Sequence, residues 1–239
     1  MIVGWHEQSE RDVPADDEWL GPPELARLAD LRFAKRRADW RLGRWTAKNA
    51  VAGYLRLPAT REILRAFEIR PASSGAPEVL AAAGGPVPVT ISLSHRCGMA
   101  VCAVAPACPP GGMLGCDIEW IEPRSDLFLA DFFTSKEQRL VERAPRAERF
   151  RLLTLLWSAK ESLLKALHLG LRVDTRSVEV SLEPPTIGCI TGQWNPLRVY
   201  HPQAGVLEGW WHESAGFVRT LVIVGAAAYP ALSNDGCYL

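Results

Sequence analysis

The sequence lacks any long apolar segment and any excess of charge of one sign. No uncharged apolar stretch approaches the ~18 to 20 residues that a membrane-spanning helix needs, and the first residues show neither the basic start nor the apolar core of a secretory signal. The 27 basic residues balance 27 acidic ones, so the formal net charge is +0. With 48% hydrophobic and 23% charged side chains in 239 residues, we expect a soluble, cytoplasmic protein with no general attraction to membranes or nucleic acids.

Cysteine patterns typical of metal binding are also missing. None of the six cysteines forms a C-x-x-C pair or stands beside two histidines at ligand spacing, so no zinc site is predicted. Without a secretory signal, a disulfide framework is not expected either. We interpret these residues as buried or unreactive thiols. They are Cys97, Cys102, Cys108, Cys116, Cys189 and Cys237.

Lysine is scarce, and its distribution points to an internal repeat. Only five of the 27 basic residues are lysines, and three of those five lie in two similar segments. The segment W-T-A-K-N-A starts at Trp45, and W-S-A-K-E-S-L-L-K starts at Trp157. A fainter similarity relates 94–101 to 213–218. Two similar offsets in the same order predict a duplicated unit of roughly 115 residues, with chance similarity in an alanine-rich chain as the alternative.

The repeat and the periodicity of apolar residues predict an α+β fold with two similar α/β-sandwich-like subdomains, 1–112 and 113–239. A pseudo-two-fold axis would relate the two copies, with a cleft between them of the kind that often binds ligands. Helices are predicted at about 22–57, broken near Asp30, and at about 135–169, interrupted near Pro145. A looser stretch covers 71–88. Strands are predicted at 89–93, 99–105, 113–120, 177–182, 192–199 and 217–228.

Two acids lie in the G-C-D-I-E-W segment of the strand predicted at 113–120. Asp117 and Glu119 are two residues apart, so their side chains share a face, about 6.5 to 7 Å apart along the strand. Neighbouring carboxylates repel each other unless a cation or a proton lies between them. Such oxygen ligands suit Mg²⁺, which takes one or two carboxylates and then substrate phosphates. A solvated strand edge with ordinary acids is the alternative.

The second tryptophan–lysine segment adds a possible phosphate site. Glu161 and Lys165 are four residues apart, so they occupy one face of the predicted helix. In a chain that otherwise uses arginine, a compact lysine ammonium suits phosphate oxygens or a leaving group. The alternative is a surface ion pair that contributes roughly 0.3 to 0.5 kcal/mol.

A basic stripe is predicted on the first helix. At about 100° per residue, Arg37, Arg41, Arg44 and Lys48 fall within about 60° of one another. Such a ridge in a neutral protein favours an anionic ligand, and a small polyphosphate suits one short ridge better than a nucleic-acid duplex does. A solvated face is the alternative.

A polar pair follows the strand predicted at 89–93. Ser94 and His95 can donate hydrogen bonds to a phosphate, although a lone histidine is more often structural. The sequence has no G-x-S-x-G nucleophile elbow, so no Ser-His-Asp triad is predicted.

Taken in order, these segments resemble a known family. The order is R-R-x-x-W-x-x-G-R-x-x-A-K at 36–48, S-H at 94–95, G-x-D-x-E at 115–119, F-F-T-x-x-E at 132–137 and W-S-x-K-E-x-x-x-K at 157–165. It resembles the 4′-phosphopantetheinyl transferase superfamily, specifically its long, monomeric Sfp-like group. Long members of that family are pseudo-dimers of an α+β unit, which agrees with the internal repeat.

The resemblance implies a role for each matching residue. Asp117, Glu119 and Glu161 would hold Mg²⁺ against the pyrophosphate of coenzyme A. Glu137 matches a further acidic position of the family, whose role stays open. Family members often carry G-K-P before the S-H segment, and Ala76 stands at the lysine position here. The residues implied to contact coenzyme A are Ser94, His95, Arg36, Arg37 and Arg44 at the 3′-phosphate, and Lys160 and Lys165 along the pyrophosphate.

The implied reaction transfers the 4′-phosphopantetheine arm of coenzyme A to a serine of an apo acyl, peptidyl or aryl carrier protein and releases 3′,5′-ADP. Glu161 would take the serine proton directly or through a water, and Lys165 would lie near the leaving group. Phe128, Phe132 and Phe133 are candidates for carrier docking or for the core. The alternatives are a Mg²⁺-dependent hydrolase of nucleotide pyrophosphates, a non-catalytic module that binds coenzyme A or a carrier domain, and nucleic-acid binding by the basic helix.

Overall fold

The computed structural model describes residues 3–107, 113–182 and 194–225, and these fall into two units. The first lies within 3–107 and the second within 113–225. The elements of the first unit are β1 (Gly4–Ser9), α1 (Pro22–Ala29), α2 (Ala34–Tyr54), α3 (Arg61–Arg65), β2 (Phe67–Pro71), β3 (Pro77–Ala81), β4 (Val89–Arg96) and β5 (Met99–Pro106). Those of the second unit are β6 (Met113–Trp120), α4 (Asp126–Phe132), α5 (Ser135–Arg143), α6 (Arg149–Ala166), β7 (Glu179–Leu182), β8 (Asn195–His201), β9 (Gly205–Ser214) and β10 (Phe217–Val224).

In the first unit, the long helix α2 lies against a three-stranded antiparallel sheet. The strand order is β1-β5-β4, and β2 pairs with β3 in a separate hairpin. Ala47, Ala50 and Val51 recur at helical spacing and are buried in the core of this unit. Helix α1 ends at Ala29 and α2 begins at Ala34, so the predicted helix at 22–57 is broken near Asp30.

In the second unit, α6 lies against a five-stranded antiparallel sheet. The strand order is β6-β10-β9-β8-β7, which puts β6 beside β10. The core of this unit includes Leu155, Leu156 and Leu163 from α6, all fully buried. Strand β6 spans the predicted residues 113–120. The helical region predicted at 135–169 consists of α5 and α6, joined by a short 3-10 turn after Pro145.

The two units share a hairpin turn of the same kind. Cys97 and Gly98 join β4 to β5 with φ values of 49° and 74°, and Ala215 and Gly216 join β9 to β10 with φ values of 50° and 78°. Two successive residues with positive φ are typical of tight two-residue hairpin turns. The faint sequence similarity between 94–101 and 213–218 therefore corresponds to a shared local structure.

The sequence prediction misses several elements. Strand β9 is not predicted, because Trp210, Trp211 and His212 are three successive buried residues and interrupt the two-residue alternation. Strands β2 and β3 lie in and next to the stretch at 71–88, whose glycines and prolines favour a loop. Strand β1 and helix α4 are missed because they are short and carry weak periodicity.

The α+β class is confirmed, since each unit combines an antiparallel sheet with a long helix. The pseudo-two-fold axis stays a prediction.

Across the described ranges, no helix combines the length and the apolar character that crossing a membrane requires. Cys97 is exposed, whereas Cys102 and Cys116 are buried. The other three cysteines lie outside the described residues, as do parts of the strands predicted at 192–199 and 217–228.

Candidate active site

Helix α6 lies directly on strand β6 because residue 115 has no side chain. A Cβ atom on Gly115 would overlap the Ser162 carbonyl oxygen and lie 2.6 Å from the Ala166 nitrogen. The helix is also tied to β10, because the Thr220 hydroxyl lies 2.9 Å from that of Ser158 and 2.7 Å from that of Ser162. This close approach places the C-terminal half of α6 beside the two acids of β6.

The Lys165 ammonium lies against the first of those acids. Its Nζ is 2.7 Å from Asp117 Oδ1 and donates a hydrogen bond to the Cys116 carbonyl oxygen at 3.2 Å. Asp117 is buried, while 27% of the Lys165 side chain is exposed. Burial alone would lower the pKa of Lys165, but the carboxylates of Asp117 and Glu161 outweigh it and raise that pKa. Lys165 therefore stays positively charged at the site.

Glu161 lies one helical turn before Lys165 and is the most perturbed acid of the site. Its carboxylate is 3.8 Å from Lys165 Nζ, which confirms that the two share one face of α6. Burial raises the pKa of Glu161, and the negative charges of Asp117 and Glu119 raise it further against the opposing effect of Lys165, to about 7. All three acids predicted to act together therefore influence one another electrostatically.

Glu119, the third acid, has a basic partner of its own. Arg124 Nη2 lies 3.2 Å from Glu119 Oε2 and 3.2 Å from Glu122 Oε1. The Arg124 guanidinium also lies over the Phe128 ring, 5.1 Å from its centroid, which helps to hold its position. Arg124 is not predicted from the sequence, because nothing in its spacing marks it as the partner of an acid five residues earlier.

The donor set fits a hard divalent cation, although the described residues contain no preformed cluster of three metal-ligating side chains. Asp117, Glu119 and Glu161 offer only carboxylate oxygens, the ligands that Mg²⁺ prefers. Burial raises the pKa of Glu161, and the charges of Asp117 and Glu119 add to that rise. In this structure Lys165 contacts two of the acids and Arg124 contacts the third.

Lys160 lies in the core, which corrects its implied place along a pyrophosphate. Its side chain has 0% exposure, and Nζ lies 2.9 Å from Glu137 Oε2. The ammonium also donates hydrogen bonds to the carbonyl oxygens of Thr175 and Val178. Burial lowers the pKa of Lys160 against the opposing charge of Glu137. With its donors used inside the unit, Lys160 is a structural residue, and Glu137 acquires a role as its partner.

Two residues of the predicted basic stripe on α2 are engaged in contacts within the first unit. Lys48 is fully buried, 2.5 Å from Glu24. Arg41 pairs with Asp17 at 2.8 Å and donates to backbone carbonyls of the preceding loop. These two positions therefore hold the first unit together and do not form a free basic face.

The three arginines implied to bind coenzyme A differ in their surroundings. Arg36 is exposed. Arg37 donates to the Leu28 carbonyl oxygen at 2.9 Å, close to the C-terminal end of α1. Arg44 is half-buried, with its guanidinium over the Trp40 ring at 4.9 Å. Binding of coenzyme A by these arginines stays a prediction, and Arg37 has a structural contact as well.

Ser94 and His95 lie at the end of β4, just before the turn at Cys97 and Gly98. Ser94 is half-buried and His95 is exposed. A tight turn holds the strand end in a fixed conformation, so the pair is presented on a rigid element. Their position is compatible with contact to a phosphate group.

The three phenylalanines named as docking or core candidates form an aromatic cluster around Trp157. The ring centroids of Phe128, Phe132 and Phe133 lie 5.0, 5.4 and 6.4 Å from that of Trp157. Phe133 is fully buried and therefore belongs to the core. Phe132 keeps 37% exposure.

Two comparisons of sequence identify relatives of the chain. A sequence model of the 4′-phosphopantetheinyl transferase superfamily matches residues 113–213. The 4′-phosphopantetheinyl transferase HetI of Nostoc sp. is 28% identical over 167 residues. That alignment covers 69% of this chain and 66% of HetI, so the chain spans just under two thirds of the length of this relative.

Solved structures with partial similarity are holo-(acyl-carrier-protein) synthases. That of Thermotoga maritima is 20% identical and has a TM-score of 0.35, with 47% of this chain and 62% of that chain covered. That of Bacillus anthracis, in complex with CoA (3′,5′-ADP), is 20% identical and has a TM-score of 0.37, with 43% and 91% covered.

Proposed function

Since the chain belongs to the 4′-phosphopantetheinyl transferase superfamily, we propose that it transfers the 4′-phosphopantetheine arm of coenzyme A to a serine of an apo acyl, peptidyl or aryl carrier protein. The observation that carries this proposal is the convergence of Asp117, Glu161 and Lys165 where α6 crosses β6. In this reaction the serine oxygen bonds to the β-phosphorus of coenzyme A. The pyrophosphate P–O bond breaks, and 3′,5′-ADP leaves.

Asp117, Glu119 and Glu161 are the residues that would hold a Mg²⁺ ion. When bound, such an ion neutralises pyrophosphate charge and makes phosphorus more electrophilic. The support is the chemistry of the donor set and the raised pKa of Glu161, which records three acids in one small region. Lys165 and Arg124 contact the acids in the present structure, so we infer that binding of the ion shifts both side chains.

Glu161 and Lys165 have the properties that proton transfer and leaving-group stabilisation need. In the cation-free protein, burial and the neighbouring acids raise the pKa of Glu161 to about 7, so this carboxylate can accept a proton near neutral pH. It would take the proton that the serine hydroxyl loses as the oxygen attacks. Lys165 stays charged and partly exposed, so its ammonium can stabilise the charge that develops on the departing nucleotide.

Residues of the first unit supply the remaining proposed contacts with coenzyme A. Arg36 and Arg44, with Ser94 and His95, would bind the 3′-phosphate, and Arg37 would contribute only if its contact with Leu28 were released. Arginine forks and hydroxyl donors are the usual partners of phosphate oxygens. Cytoplasmic location, a monomeric state and the identity of the carrier stay predictions.

A mass measurement on purified carriers tests the proposal. Apo carrier proteins of the three classes are incubated with the protein, coenzyme A and Mg²⁺, and each intact carrier is weighed. A gain equal to one phosphopantetheine arm, with release of 3′,5′-ADP, supports the transfer. Cleavage of coenzyme A without any carrier would favour a pyrophosphate hydrolase. Binding of coenzyme A without turnover on any carrier would favour a binding module.

A further inference from the structure

Each unit contains one buried pair of lysine and glutamate. In the first unit, Lys48 Nζ lies 2.5 Å from Glu24 Oε2, and in the second unit, Lys160 Nζ lies 2.9 Å from Glu137 Oε2. No side chain of the four is more than 3% exposed. Fully buried ion pairs are costly to form because both charges lose their hydration. This chain nevertheless contains two such pairs, one in each unit.

The two glutamates are held in the same way. Each lies at the third position of a short helix, α1 or α5, and accepts a hydrogen bond from the backbone N–H just before that helix. The other carboxylate oxygen accepts from the N–H of a strand residue. The donors are Gly21 and Ile69 for Glu24, and Thr134 and Val180 for Glu137.

The two lysines are also held in the same way. Each ammonium donates to two backbone carbonyl oxygens outside its own helix, in addition to its glutamate. The acceptors are Trp19 and Leu64 for Lys48, and Thr175 and Val178 for Lys160. We call each of these two arrangements a clamp. Each clamp ties a long helix to a short helix and to a strand, with every partner inside one unit.

The two helices differ at the positions that follow the lysine. In α2 the next residue is Asn49, whose amide donates to the Trp45 carbonyl oxygen of the same helix at 2.8 Å. In α6 the next residue is Glu161, and Lys165 follows four residues later at the acid site. The equivalent of Lys165 in the first repeat is Gly53. Among the described residues, the clamp is thus present in both units, whereas the three acids and Lys165 lie in the second.

The clamp of the second unit lies on a different face of α6 from Glu161. Lys160 and Glu161 are neighbours about 100° apart around the helix. Lys160 anchors α6 to α5 and to the backbone just before β7, and Lys165 contacts β6. Together with the Ser158 and Ser162 hydroxyls on Thr220, the clamp ties the helix by buried hydrogen bonds that rolling or sliding would break. A functional carboxylate must be held within roughly 0.5 Å, so such fixation matters for Glu161.

We propose that Glu137 and Lys160 are positioning residues that fix the Glu161 carboxylate beside Asp117 for the divalent cation. The proposal rests on the function proposed above. A purely structural clamp would contribute to stability alone, and its loss would have the same consequences in either unit. If the clamp also positions Glu161, its loss in the second unit weakens cation binding in addition to lowering stability, and its loss in the first unit does not. Mutation of a residue that orients a metal ligand, without binding the metal itself, typically lowers metal affinity or activity 10- to 100-fold.

The first unit provides the matched control. Glu137→Gln and Glu24→Gln each replace the clamp carboxylate by an amide of the same shape. Lys160→Met and Lys48→Met remove the charge from the other side. For all four variants and the wild-type chain, the Tm is measured by calorimetry. Mn²⁺ binding is measured by electron paramagnetic resonance with saturating coenzyme A, and carrier modification is measured as a function of Mg²⁺ concentration.

We expect Glu137→Gln and Glu24→Gln to lower Tm by similar amounts, whereas Glu137→Gln alone raises the Kd for Mn²⁺ about ten-fold or more. The Mg²⁺ concentration needed for half-maximal transfer should rise in parallel. If Lys160→Met does not fold, the Glu137→Gln variant decides the question. Equal Mn²⁺ affinity in the two glutamine variants would overturn the positioning role. Absence of both Mn²⁺ binding and transfer in the wild-type chain would instead overturn the proposed function.

Discussion

The Lys165 ammonium lies 2.7 Å from Asp117 Oδ1 and 3.8 Å from Glu161, so one positive charge lies between two of the three acids of the site. A divalent cation held by these acids would compete with this ammonium for their oxygens. The site in this structure is therefore neutralised by basic side chains, and cation binding should depend on how strongly those side chains compete.

Removing the Lys165 charge should make the protein more dependent on the divalent cation. Lys165→Met leaves the buried Asp117 without its closest positive charge, so Tm should fall. Added Mg²⁺ should then raise Tm by more than it does in the wild-type chain. Transfer should fall about 10²-fold or more, because stabilisation of the leaving group is lost.

Lys136→Met is the control for that substitution. Lys136 forms a 2.8 Å ion pair with Glu179 in the same unit, but 71% of its side chain is exposed. Loss of an exposed pair typically costs about 0 to 1 kcal/mol. An equal response of both variants to Mg²⁺, followed by differential scanning fluorimetry, would argue against a special role for Lys165.

The absence of a side chain at residue 115 should be required for the close packing of α6 on β6. In Gly115→Ala the added Cβ meets backbone atoms of Ser162 and Ala166, which cannot move independently of the helix. Overpacking of this kind costs roughly 1 to 3 kcal/mol, and displacement of Glu161 should lower the transfer rate as well. Denaturant unfolding and the carrier assay measure the two effects.

Gly43→Ala should act in the opposite direction on stability. Gly43 lies inside α2, and an added Cβ would meet nothing within 4 Å. Alanine in a helix interior is about 0.5 to 1 kcal/mol more favourable than glycine. If Gly115→Ala proved as harmless as Gly43→Ala, the close contact between α6 and β6 would not be what positions the acids.

Releasing Glu119 from its basic partner should strengthen cation binding. Arg124→Gln removes the charge that contacts Glu119 and Glu122 at 3.2 Å. A unit charge at this distance contributes about 1 kcal/mol in water, which corresponds to a roughly five-fold lower Kd for Mn²⁺. Isothermal titration measures this change.

Arg151→Gln is the matched control for that experiment. Arg151 also bridges two glutamates, Glu148 and Glu213, and lies over the ring of Trp211, but it does not contact the three acids. Its replacement should leave the Mn²⁺ affinity unchanged. Tighter binding in both variants would point to a general effect of net charge.

The raised pKa of Glu161 predicts a pH dependence of stability in the cation-free protein. The folded-state pKa of about 7 exceeds the ordinary value of 4.5. Between these two pH values, the unfolded chain releases a proton that the folded chain keeps. The free energy of unfolding should therefore fall as pH rises through this range.

Glu161→Gln should reduce that fall, because an amide does not titrate. The difference between the unfolding free energies of the variant and the wild-type chain, followed in chelator from pH 4.5 to 7, isolates this one group. Parallel pH profiles would contradict the raised pKa of Glu161.

The acid site can be predicted from the sequence because the spacing of its residues within one strand and one helix determines which side chains share a face. A two-residue spacing in a strand fixes the shared face of Asp117 and Glu119, and a four-residue spacing in a helix fixes that of Glu161 and Lys165. The family resemblance supplied the step that joins the two elements. The structure adds the reason that they meet, which is the missing side chain at Gly115.

Other features depend on partners that are distant in sequence. Lys160 looks like a ligand-binding residue until Glu137, Thr175 and Val178 are seen to surround it. Lys48 belongs to a helical stripe of basic residues, yet it turns into the core towards Glu24. Periodicity predicts which residues share a face of a helix, but it does not show whether a polar partner lies in the core opposite that face. Buried ion pairs are therefore not predicted from it.

The most direct test of the central claim is the number of Mn²⁺ ions bound per chain with coenzyme A present, measured by electron paramagnetic resonance. Asp117→Asn, Glu119→Gln and Glu161→Gln are compared with the wild-type chain and with Glu179→Gln, an acid of the same unit that pairs with Lys136. The account predicts one ion in the wild-type chain and in Glu179→Gln, and a loss of at least ten-fold in affinity in each of the other three. Undiminished binding in all three variants would contradict it.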